Sequence, residues 1–262
     1  MMLRPRVIPC LLIRDGGLVK TIGFKDDKYV GDPLNAVRIF NEKEVDELII
    51  LDIDATSDGR EPDLSMIESL AAECRMPLCY GGGVRSVELA RQIISVGVEK
   101  IAISSAAIEK HSLVGDVSNA IGSQSVVIVL DVRKERWRRG YRVYVRNGNE
   151  STGKSPSDIL SMFNIEQIGE VLINSIDQDG KMEGFDLDLV REMREFITVP
   201  MTVLGGAGTL NDIGALFNEF GVVGAAAGSL FVFKGMYRAV LINYPNVEEK
   251  KRLLAGLSLS YS

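Results

Sequence analysis

The hydrophobic residues of this chain fall into short runs rich in isoleucine, valine and leucine, separated by longer segments of mixed polarity. Runs that are apolar at every position are typical of parallel strands covered on both faces. The runs predict eight β-strands: Val7–Leu12, Glu47–Ile53, Pro77–Tyr80, Ile101–Ser104, Ser125–Leu130, Glu170–Ile176, Pro200–Leu204 and Gly224–Ala227.

The segments between these runs are amphipathic and predict helices. The clearest are Pro33–Glu44, Leu64–Glu73, Val87–Val96, Pro156–Ile168 and Leu187–Phe196. Alternation of strands and helices implies parallel strands joined by crossover helices. Eight such units in 262 residues are typical of a (β/α)8 TIM barrel. A doubly wound open sheet is the alternative fold with the same local pattern.

The two halves of the chain resemble each other. At an offset of 123 residues, Gly82 corresponds to Gly205 and Ser105 corresponds to Gly228. A repeat of half the chain indicates a barrel built from two similar half-barrels. We expect the barrel to occupy residues 1–245, with a C-terminal helix or tail at residues 246–262.

Composition narrows the classes of function. The net charge of −6 gives no general affinity for nucleic acid, and no apolar run is long enough to cross a membrane. The cysteines Cys10, Cys74 and Cys79 lack metal-type spacing, which favours reduced thiols in the cytoplasm and predicts neither a metal nor a cofactor. His111 is the single histidine and would have to be the base of any Ser-His-Asp triad, so the sequence argues against such a site.

Two glycine-rich turns, Gly81–Gly83 and Gly205–Gly208, each follow a predicted strand and precede a predicted helix. In each half, a strand that ends in small residues comes about 22 residues later. Glycine lets the backbone approach an anion closely, and N–H groups at a helix start favour phosphate. One such turn is also what any tight strand–helix connection needs, but two matched pairs indicate a substrate with two phosphates or one long ligand.

Carboxylates follow several predicted strands, where side chains of a barrel form its functional mouth. They are Asp52, Asp54, Asp131, Asp177 and Asp179. Some of these residues could instead cap the next helix or accept N–H bonds within a loop, and for Asp52 and Asp177 the functional and the structural interpretations both stay open. Asp131 is the stronger candidate because it closes an otherwise apolar run.

The first and fifth predicted strands differ at one informative position. Residues 7–14 read V-I-P-C-L-L-I-R and residues 126–133 read V-V-I-V-L-D-V-R, and the two align without a gap. The sixth position is Leu12 in one copy and Asp131 in the other. A carboxylate therefore stands on one side of the predicted mouth and an alkyl group on the other.

The chain resembles the cyclase subunit of imidazole glycerol phosphate synthase, the HisF family, up to about Pro245. The motifs that carry the resemblance are Val7–Leu11, Gly31–Pro33, Asp46–Leu48, Gly81–Ser86, Gly122–Gln124, Asp177–Gly180, Gly205–Gly208 and Ala227–Phe231. The resemblance implies a barrel docked by its N-terminal face to a HisH-like glutaminase of the class I amidotransferase type. It also implies that ammonia crosses the barrel to a phosphorylated substrate, where two carboxylates move protons.

Site residues carry over from this resemblance position by position. Asp131 matches the catalytic carboxylate of strand 5, Lys20 matches a mobile-loop lysine, and Asp179 matches a further aspartate at the mouth. The implied phosphate-binding positions are Gly83, Ser104, Ser105, Gly206, Gly228 and Ser229. A charged gate at the ammonia entrance is implied at Arg6, Glu47, Lys100 and Glu170; a purely structural layer of salt bridges would look the same.

Leu12 departs from the family because it stands where the strand 1 carboxylate is expected, and leucine cannot transfer a proton. Other mouth positions also differ: Asp54 replaces a hydroxyl residue typical of the family, and Asn174 and Leu204 replace further hydroxyls. These changes predict a rebuilt pocket, in which Asp54 could serve with Asp131 as an acid–base pair.

The resemblance therefore favours a HisF-like synthase subunit of a glutamine amidotransferase complex, closer to paralogues of surface-polysaccharide pathways, including lipopolysaccharide. Those paralogues share Leu11-Leu12 after Pro9-Cys10 and are implied to support amidination of an acetamido sugar, with a separate ATP-dependent amidotransferase-like protein activating the sugar. Two alternatives remain: the cyclase of histidine biosynthesis, which forms imidazole glycerol phosphate and AICAR, and a non-catalytic activator of the glutaminase.

Overall fold

The computed structural model describes residues 4–135, 140–235 and 237–255. Eight parallel strands form a closed barrel in which the last strand pairs with the first. The strands are β1 (Arg6–Arg14), β2 (Leu48–Asp52), β3 (Leu78–Gly81), β4 (Lys100–Ile103), β5 (Val126–Glu135), β6 (Glu170–Ser175), β7 (Met201–Leu204) and β8 (Gly224–Ala227). The predicted barrel is confirmed, and the open-sheet alternative is wrong because β1 and β8 close the sheet.

Helices cover the outside of the barrel. They are α1 (Pro33–Glu42), α2 (Leu64–Glu73), α3 (Val87–Ser95), α4 (Ser105–Glu109), α5 (Ser112–Ile121), α6 (Pro156–Leu160), α7 (Leu187–Arg194), α8 (Leu210–Phe220), α9 (Ser229–Val232) and α10 (Val247–Ala255). Within the described residues, no helix combines the length and hydropathy needed to span a bilayer. The predicted C-terminal helix or tail is described only as far as α10, since residues 256–262 lie outside the described residues.

The predicted helix Pro156–Ile168 is wrong in its second half. Helix α6 ends at Leu160, and a separate 3-10 turn forms at Ile165–Gln167. The Asn164 side chain accepts a hydrogen bond from the Glu166 N–H at 3.1 Å. Such a local bond competes with the helical backbone pattern and starts a new turn.

Two antiparallel hairpins extend the barrel at its C-terminal face. After β1, the strands Gly17–Ile22 and Lys25–Gly31 fold back beside it, with Leu12 opposite Val19. After β5, the strands Gly140–Val145 and Glu150–Ser151 do the same. A smaller pair, Phe233–Lys234 with Ala239–Val240, follows α9. The hairpins place loop residues over the mouth of the barrel.

The hydrophobic core has two layers, because successive strand residues point to opposite faces. Residues such as Phe40 and Phe217 pack between the strands and the helices. Alternate residues fill the barrel interior, which contains Ile8, Cys10, Ile49, Cys79, Ala102, Val127, Val129, Leu172, Leu204 and Ala226, with Leu12 and Leu51 against them. On β1 the inward face therefore runs from Arg6 through Ile8 and Cys10 to Leu12.

Candidate active site

A cavity of about 120 Å³ opens at the C-terminal ends of the strands. Its walls combine strand ends, the first hairpin and the glycine turn after β3. Its lining includes Leu12, Lys20, Leu51, Gly83, Ser104, Ser105, Asp131, Asn174, Asp179, Leu204 and Gly228. Most of the predicted mouth residues are thus brought to one place.

Asp131 points into this cavity from β5. Its carboxylate accepts hydrogen bonds from Asn174 Nδ2 at 2.9 Å and from Ser104 Oγ at 3.3 Å. Burial raises the pKa of Asp131 to about 6, although these two hydrogen bonds act to lower it. A carboxyl group with a pKa near 6 can both release and accept protons close to neutral pH.

Asn174 lies beside Asp131 because β5 and β6 are paired in register at these two residues. Its side chain is buried, and only its Nδ2 donor is used. Asn174 Oδ1 has no hydrogen-bond partner among the described residues. The Asn174 amide therefore fixes the Asp131 carboxylate, while its own oxygen stays buried without a donor.

Lys20 lies on a hairpin strand, although the resemblance implied a lysine on a mobile loop, and an ion pair holds its side chain. It lies on the hairpin strand Gly17–Ile22, and its Nζ is 2.6 Å from Asp179 Oδ1. The other carboxylate oxygen of Asp179 accepts from Thr21 Oγ1 at 2.7 Å and from the Phe24 N–H at 3.3 Å. Asp179 thus fastens the hairpin across the mouth, and the catalytic roles of Lys20 and Asp179 stay predictions.

Leu12 occupies the inward position of β1 at the height of the mouth. Leu51 lies beside it on β2, and Leu204 lines the same cavity. The wall that faces the top of the barrel interior from β1, β2 and β7 is therefore alkyl. Within the described residues, this wall offers no proton donor from those three inward positions.

Asp54 is placed outside the cavity lining. It lies beyond the end of β2, and its carboxylate receives Arg14 Nε at 2.8 Å and Arg14 Nη2 at 3.0 Å. The structure does not bring Asp54 together with Asp131, so a shared acid–base role stays a prediction that this placement does not favour. Arg14 was not predicted as its partner, because no pattern along the chain links these two residues.

Asp52 and Asp177 have structural partners. Asp52 accepts from the Ala55 N–H at 3.0 Å and from Arg60 Nη2 at 3.1 Å, and it shapes the loop after β2. Asp177 accepts from the Lys134 N–H at 2.7 Å. For these two residues, the hydrogen bonds support the structural interpretation, in which the carboxylates accept N–H bonds in the loops.

The first predicted phosphate site borders the cavity. Gly83 has a φ of 71°, and its N–H points to Thr56 Oγ1 at 3.3 Å. Ser104 donates to Asp131, while Ser105 Oγ accepts from the Arg146 N–H at 2.9 Å. Phosphate binding at Gly83, Ser104 and Ser105 stays a prediction.

The second predicted phosphate site lies on the other side of Lys20. Gly206, Gly228 and Ser229 line a small recess there, together with Lys20 and Asp179. Ser229 Oγ is buried and has no partner among the described residues. A Cβ at Gly206 would lie 2.0 Å from the Gly184 carbonyl oxygen, so only glycine fits. Phosphate binding at this site also stays a prediction.

The four predicted gate residues meet at the N-terminal end of the barrel. Arg6 Nη2 is 2.7 Å from Glu170 Oε1, and Arg6 also pairs with Glu47. Lys100 Nζ lies 2.8 Å from carboxylate oxygens of both Glu47 and Glu170. Two cations and two carboxylates therefore form a complete ring in which each charge has partners of the opposite sign.

Thr202 completes this ring and was missed in the sequence. Its hydroxyl donates to Glu170, and Arg6 Nη2 lies 3.3 Å from it. Its position two residues before Leu204 on the inward face of β7 was the available signal.

Burial acts to raise the pKa of Glu170, but Arg6 and Lys100 outweigh it and lower the pKa to about 2.

The interior between the gate and the mouth carries only apolar side chains and thiols among the described residues of that core layer. Burial raises the pKa of Cys10 to about 12 and also raises the pKa of Cys79. Both thiols are therefore neutral near pH 7. An ion placed in this apolar layer would lose its hydration.

Comparisons with known proteins agree with this architecture. The family described as histidine biosynthesis protein matches residues 6–238. A Leptospira interrogans relative, provisionally named imidazole glycerol phosphate synthase subunit HisF, is 55% identical over 252 residues, covering 96% of this chain and 99% of the relative. A Vibrio vulnificus relative, provisionally named subunit hisF3 of that synthase, is 51% identical and covers 97% of each chain.

A more distant relative carries the same name without a qualifier. The imidazole glycerol phosphate synthase subunit HisF of Alkaliphilus metalliredigens is 38% identical over 230 residues, which cover 88% of this chain and 91% of the relative.

Proposed function

We propose, from the premise that this chain belongs to the histidine biosynthesis protein family as a HisF-like synthase subunit, that its barrel conducts ammonia to an acetamido sugar. In this proposal a glutaminase supplies the ammonia, and the sugar is amidinated during surface-polysaccharide synthesis. The chain is a synthase subunit of a glutamine amidotransferase complex.

One contrast carries the proposal. The gate of Arg6, Glu47, Lys100 and Glu170 is complete at one end of the barrel. At the other end, Leu12 presents an alkyl group where the family resemblance implies a carboxylate. Replacement of a whole set of buried ion pairs by apolar residues is often neutral or stabilising, so retention of all four charges supports a kept role for this end of the barrel.

The apolar interior supports transport of ammonia as the neutral molecule. The path from the gate to the mouth contains no charged side chain among the described interior residues. Asp131, with a pKa of about 6, is the first ionisable carboxyl group at the top of that path. It is suited to remove a proton when ammonia forms its new bond to carbon.

The proposal assigns two partners. A HisH-like glutaminase would dock on the N-terminal face, where Arg6 and Lys100 remain partly exposed and the gate opens. A separate ATP-dependent amidotransferase-like protein would activate the amide oxygen of the sugar, because ammonia cannot displace that oxygen directly. The two glycine-rich turns would hold phosphate groups of the substrate.

Genetic complementation tests the proposal. The wild-type chain is expected to fail to rescue a histidine auxotroph that lacks its cyclase. The same test includes Leu12→Asp, which restores the carboxylate. Its control is Leu12→Asn, whose side chain has the shape of aspartate without the charge. Rescue by the wild-type chain would refute the proposal.

A second measurement asks whether the mouth takes part in the chemistry. Amidinated product is measured with the glutaminase and the activating protein present, using wild type and Asp131→Asn. Loss of a proton-transfer group costs about 10²–10⁴-fold in rate, so a fall of that size is expected. Unchanged product formation would mean that the barrel only conducts ammonia.

The histidine-pathway cyclase is the second candidate. It is favoured by the names of the relatives and by the retained Asp131 at the mouth. In that case the work of the missing carboxylate would fall to another group, and the wild-type chain would rescue the auxotroph. The complementation test therefore separates the two candidates in one experiment.

A further inference from the structure

The hairpin after β5 carries two arginines directly opposite each other, Arg133 and Arg142. We propose that this pair binds a diphosphate group, the link between the acetamido sugar and a nucleoside or lipid carrier. The inference rests on the proposed function for the identity of the sugar, but diphosphate binding is measured on this chain alone.

The two arginines continue the side of β5 that carries Asp131. Arg133 follows Asp131 by two residues, so the two side chains lie on the same side of the strand. Val132, between them, packs on the other side in the outer core layer. Arg142 lies opposite Arg133 across the ribbon. Because Asp131 lines the cavity, the arginine pair lies above it, at the rim of the mouth.

The Arg133 guanidinium leans toward that mouth. Its Cζ lies 4.5 Å from the centre of the Tyr144 ring, and Tyr144 is the residue opposite Asp131. The ring holds the guanidinium through its face. Among the described residues, Asp177 is the only carboxylate at salt-bridge distance, with an oxygen 3.9 Å from Arg133 Nε. That distance is too long for a hydrogen bond, so the donors of Arg133 remain available.

Arg142 also lacks an acidic partner. Its Nη1 donates to the Tyr141 carbonyl at 2.7 Å, and it forms no salt bridge among the described residues. Asp158 lies within range of its charge but outside salt-bridge distance. The described residues include every Asp and Glu of the chain. No other acidic side chain can therefore answer the charge of Arg142.

The placement of the pair is unfavourable for the hairpin itself. Like charges on directly opposite residues destabilise an antiparallel pair of strands. Residues 133–146 read R-K-E-R-W-R-R-G-Y-R-V-Y-V-R, in which Glu135 is the single acid, although the whole chain has a net charge of −6. A concentration of positive charge in an acidic protein, with two arginines face to face, indicates a site for an external anion.

The chemistry of the pair favours a diphosphate. A guanidinium presents paired N–H donors that match two oxygens of a phosphate group. Directly opposite residues of an antiparallel pair have Cα atoms about 4.5–5.5 Å apart, so each arginine can take one phosphoryl group of the same diphosphate. A carboxylate carries one charge and would leave one arginine unanswered. The two glycine-rich turns offer backbone N–H groups instead, so they are separate sites.

Calorimetric titration of the full chain with inorganic pyrophosphate tests the inference. The ionic strength is physiological, so that long-range attraction between exposed charges is screened. Arg133→Gln and Arg142→Gln should each weaken binding by roughly tenfold or more, because each removes hydrogen bonds from a charged donor.

Lys134→Gln is the matched control. It removes one positive charge from the residue next to Arg133, but its side chain lies on the opposite side of the strand. This variant should bind pyrophosphate as the wild-type chain does. Titrations with UDP-N-acetylglucosamine and with geranyl diphosphate then identify the carrier, since the matching one should bind more tightly than pyrophosphate.

Three results would overturn the inference. The first is a wild-type chain that binds neither pyrophosphate nor the two linked diphosphates. The second is unchanged affinity in both arginine variants. The third is an equal loss in Lys134→Gln, which would mean that the hairpin attracts anions by charge alone. None of these results depends on complementation of the auxotroph, so the inference can fail while the proposed function stands.

Discussion

At the scale of single residues, Asp131 shows how burial changes the ionisation of a carboxyl group. Its carboxyl group has two hydrogen-bond donors and no cationic partner among the described residues that contact it. Burial therefore controls its ionisation and raises its pKa to about 6. In the unfolded chain the same group ionises near pH 4.

This difference predicts a pH-dependent effect of Asp131→Asn on stability. Between about pH 4 and pH 6, the folded state holds a proton that the unfolded state has released, so folding is favoured at low pH and loses that advantage as pH rises. The difference in unfolding free energy between the variant and wild type should therefore move in favour of the variant by roughly 1–3 kcal/mol between pH 4 and pH 8.

Chemical unfolding at pH 4 and pH 8 measures this effect. Asp116→Asn on the exposed face of α5 is the control and should give the same difference from wild type at both pH values. An Asp131→Asn effect that is equal at the two pH values would show that burial does not govern this carboxyl group.

At the scale of elements, the hairpin after β1 depends on a buried ion pair. Lys20 and Asp179 have side chains that are 7% and 9% exposed, and they join the hairpin to the loop after β6. Lys20→Met leaves Asp179 charged and buried. Removing one partner of a buried pair costs about 3–5 kcal/mol, so the hairpin should open.

Limited proteolysis at residues 17–31 and the free energy of unfolding measure that opening. Lys25→Met is the matched control, because Lys25 lies on the same hairpin with an exposed side chain. Equal cleavage of the two variants would contradict the idea that Asp179 fastens the hairpin.

A second element, the segment before α10, is fixed to β1 by one hydroxyl group. Tyr244 OH donates to the Val7 carbonyl at 2.8 Å and accepts from the Asp46 N–H at 3.2 Å. Tyr244→Phe leaves both backbone groups without this partner. The free energy of unfolding should fall by about 1–3 kcal/mol, whereas Tyr237→Phe, at an 87% exposed position, should have little effect.

The elements also show how far the sequence could be interpreted. All eight barrel strands were predicted within a few residues, because buried parallel strands are continuous apolar runs. The hairpin after β1 was missed, although Asp15-Gly16 carries a turn signal. Both residues have positive φ, 48° and 74°, as a tight two-residue turn requires.

The site was predictable where position alone decides. Asp131 was a candidate because it closes an apolar strand, whereas the gate residues were implied by the family resemblance and lie on the inward faces of their strands. The Arg14–Asp54 pair and the unused oxygen of Asn174 depend on contacts between distant segments. Such contacts are fixed only when the barrel closes, so the pattern along the chain does not reveal them.

At the scale of the whole molecule, the gate charges are interdependent. Lys100 bonds to both Glu47 and Glu170, and Arg6 bonds to the same two carboxylates. Lys100→Met leaves two carboxylates against one cation. Unfolding free energy should fall by about 3–5 kcal/mol, measured by chemical denaturation.

A double variant checks that interpretation. Glu47→Gln combined with Lys100→Met removes one charge of each sign and leaves Arg6 with Glu170. The double variant should lose less unfolding free energy than the two single variants lose together, since its remaining charges balance. Strict additivity would mean that the four residues do not act as one ring.

Leu12 also sets a condition on laboratory evolution of this barrel. No leucine codon is a single nucleotide change away from an aspartate codon, so libraries dominated by single changes do not contain Leu12→Asp. The intermediate steps on the shortest routes are Leu12→Val and Leu12→His, and valine leaves the wall without an ionisable group. Selection for a cyclase is therefore best started from a gene in which codon 12 already encodes aspartate.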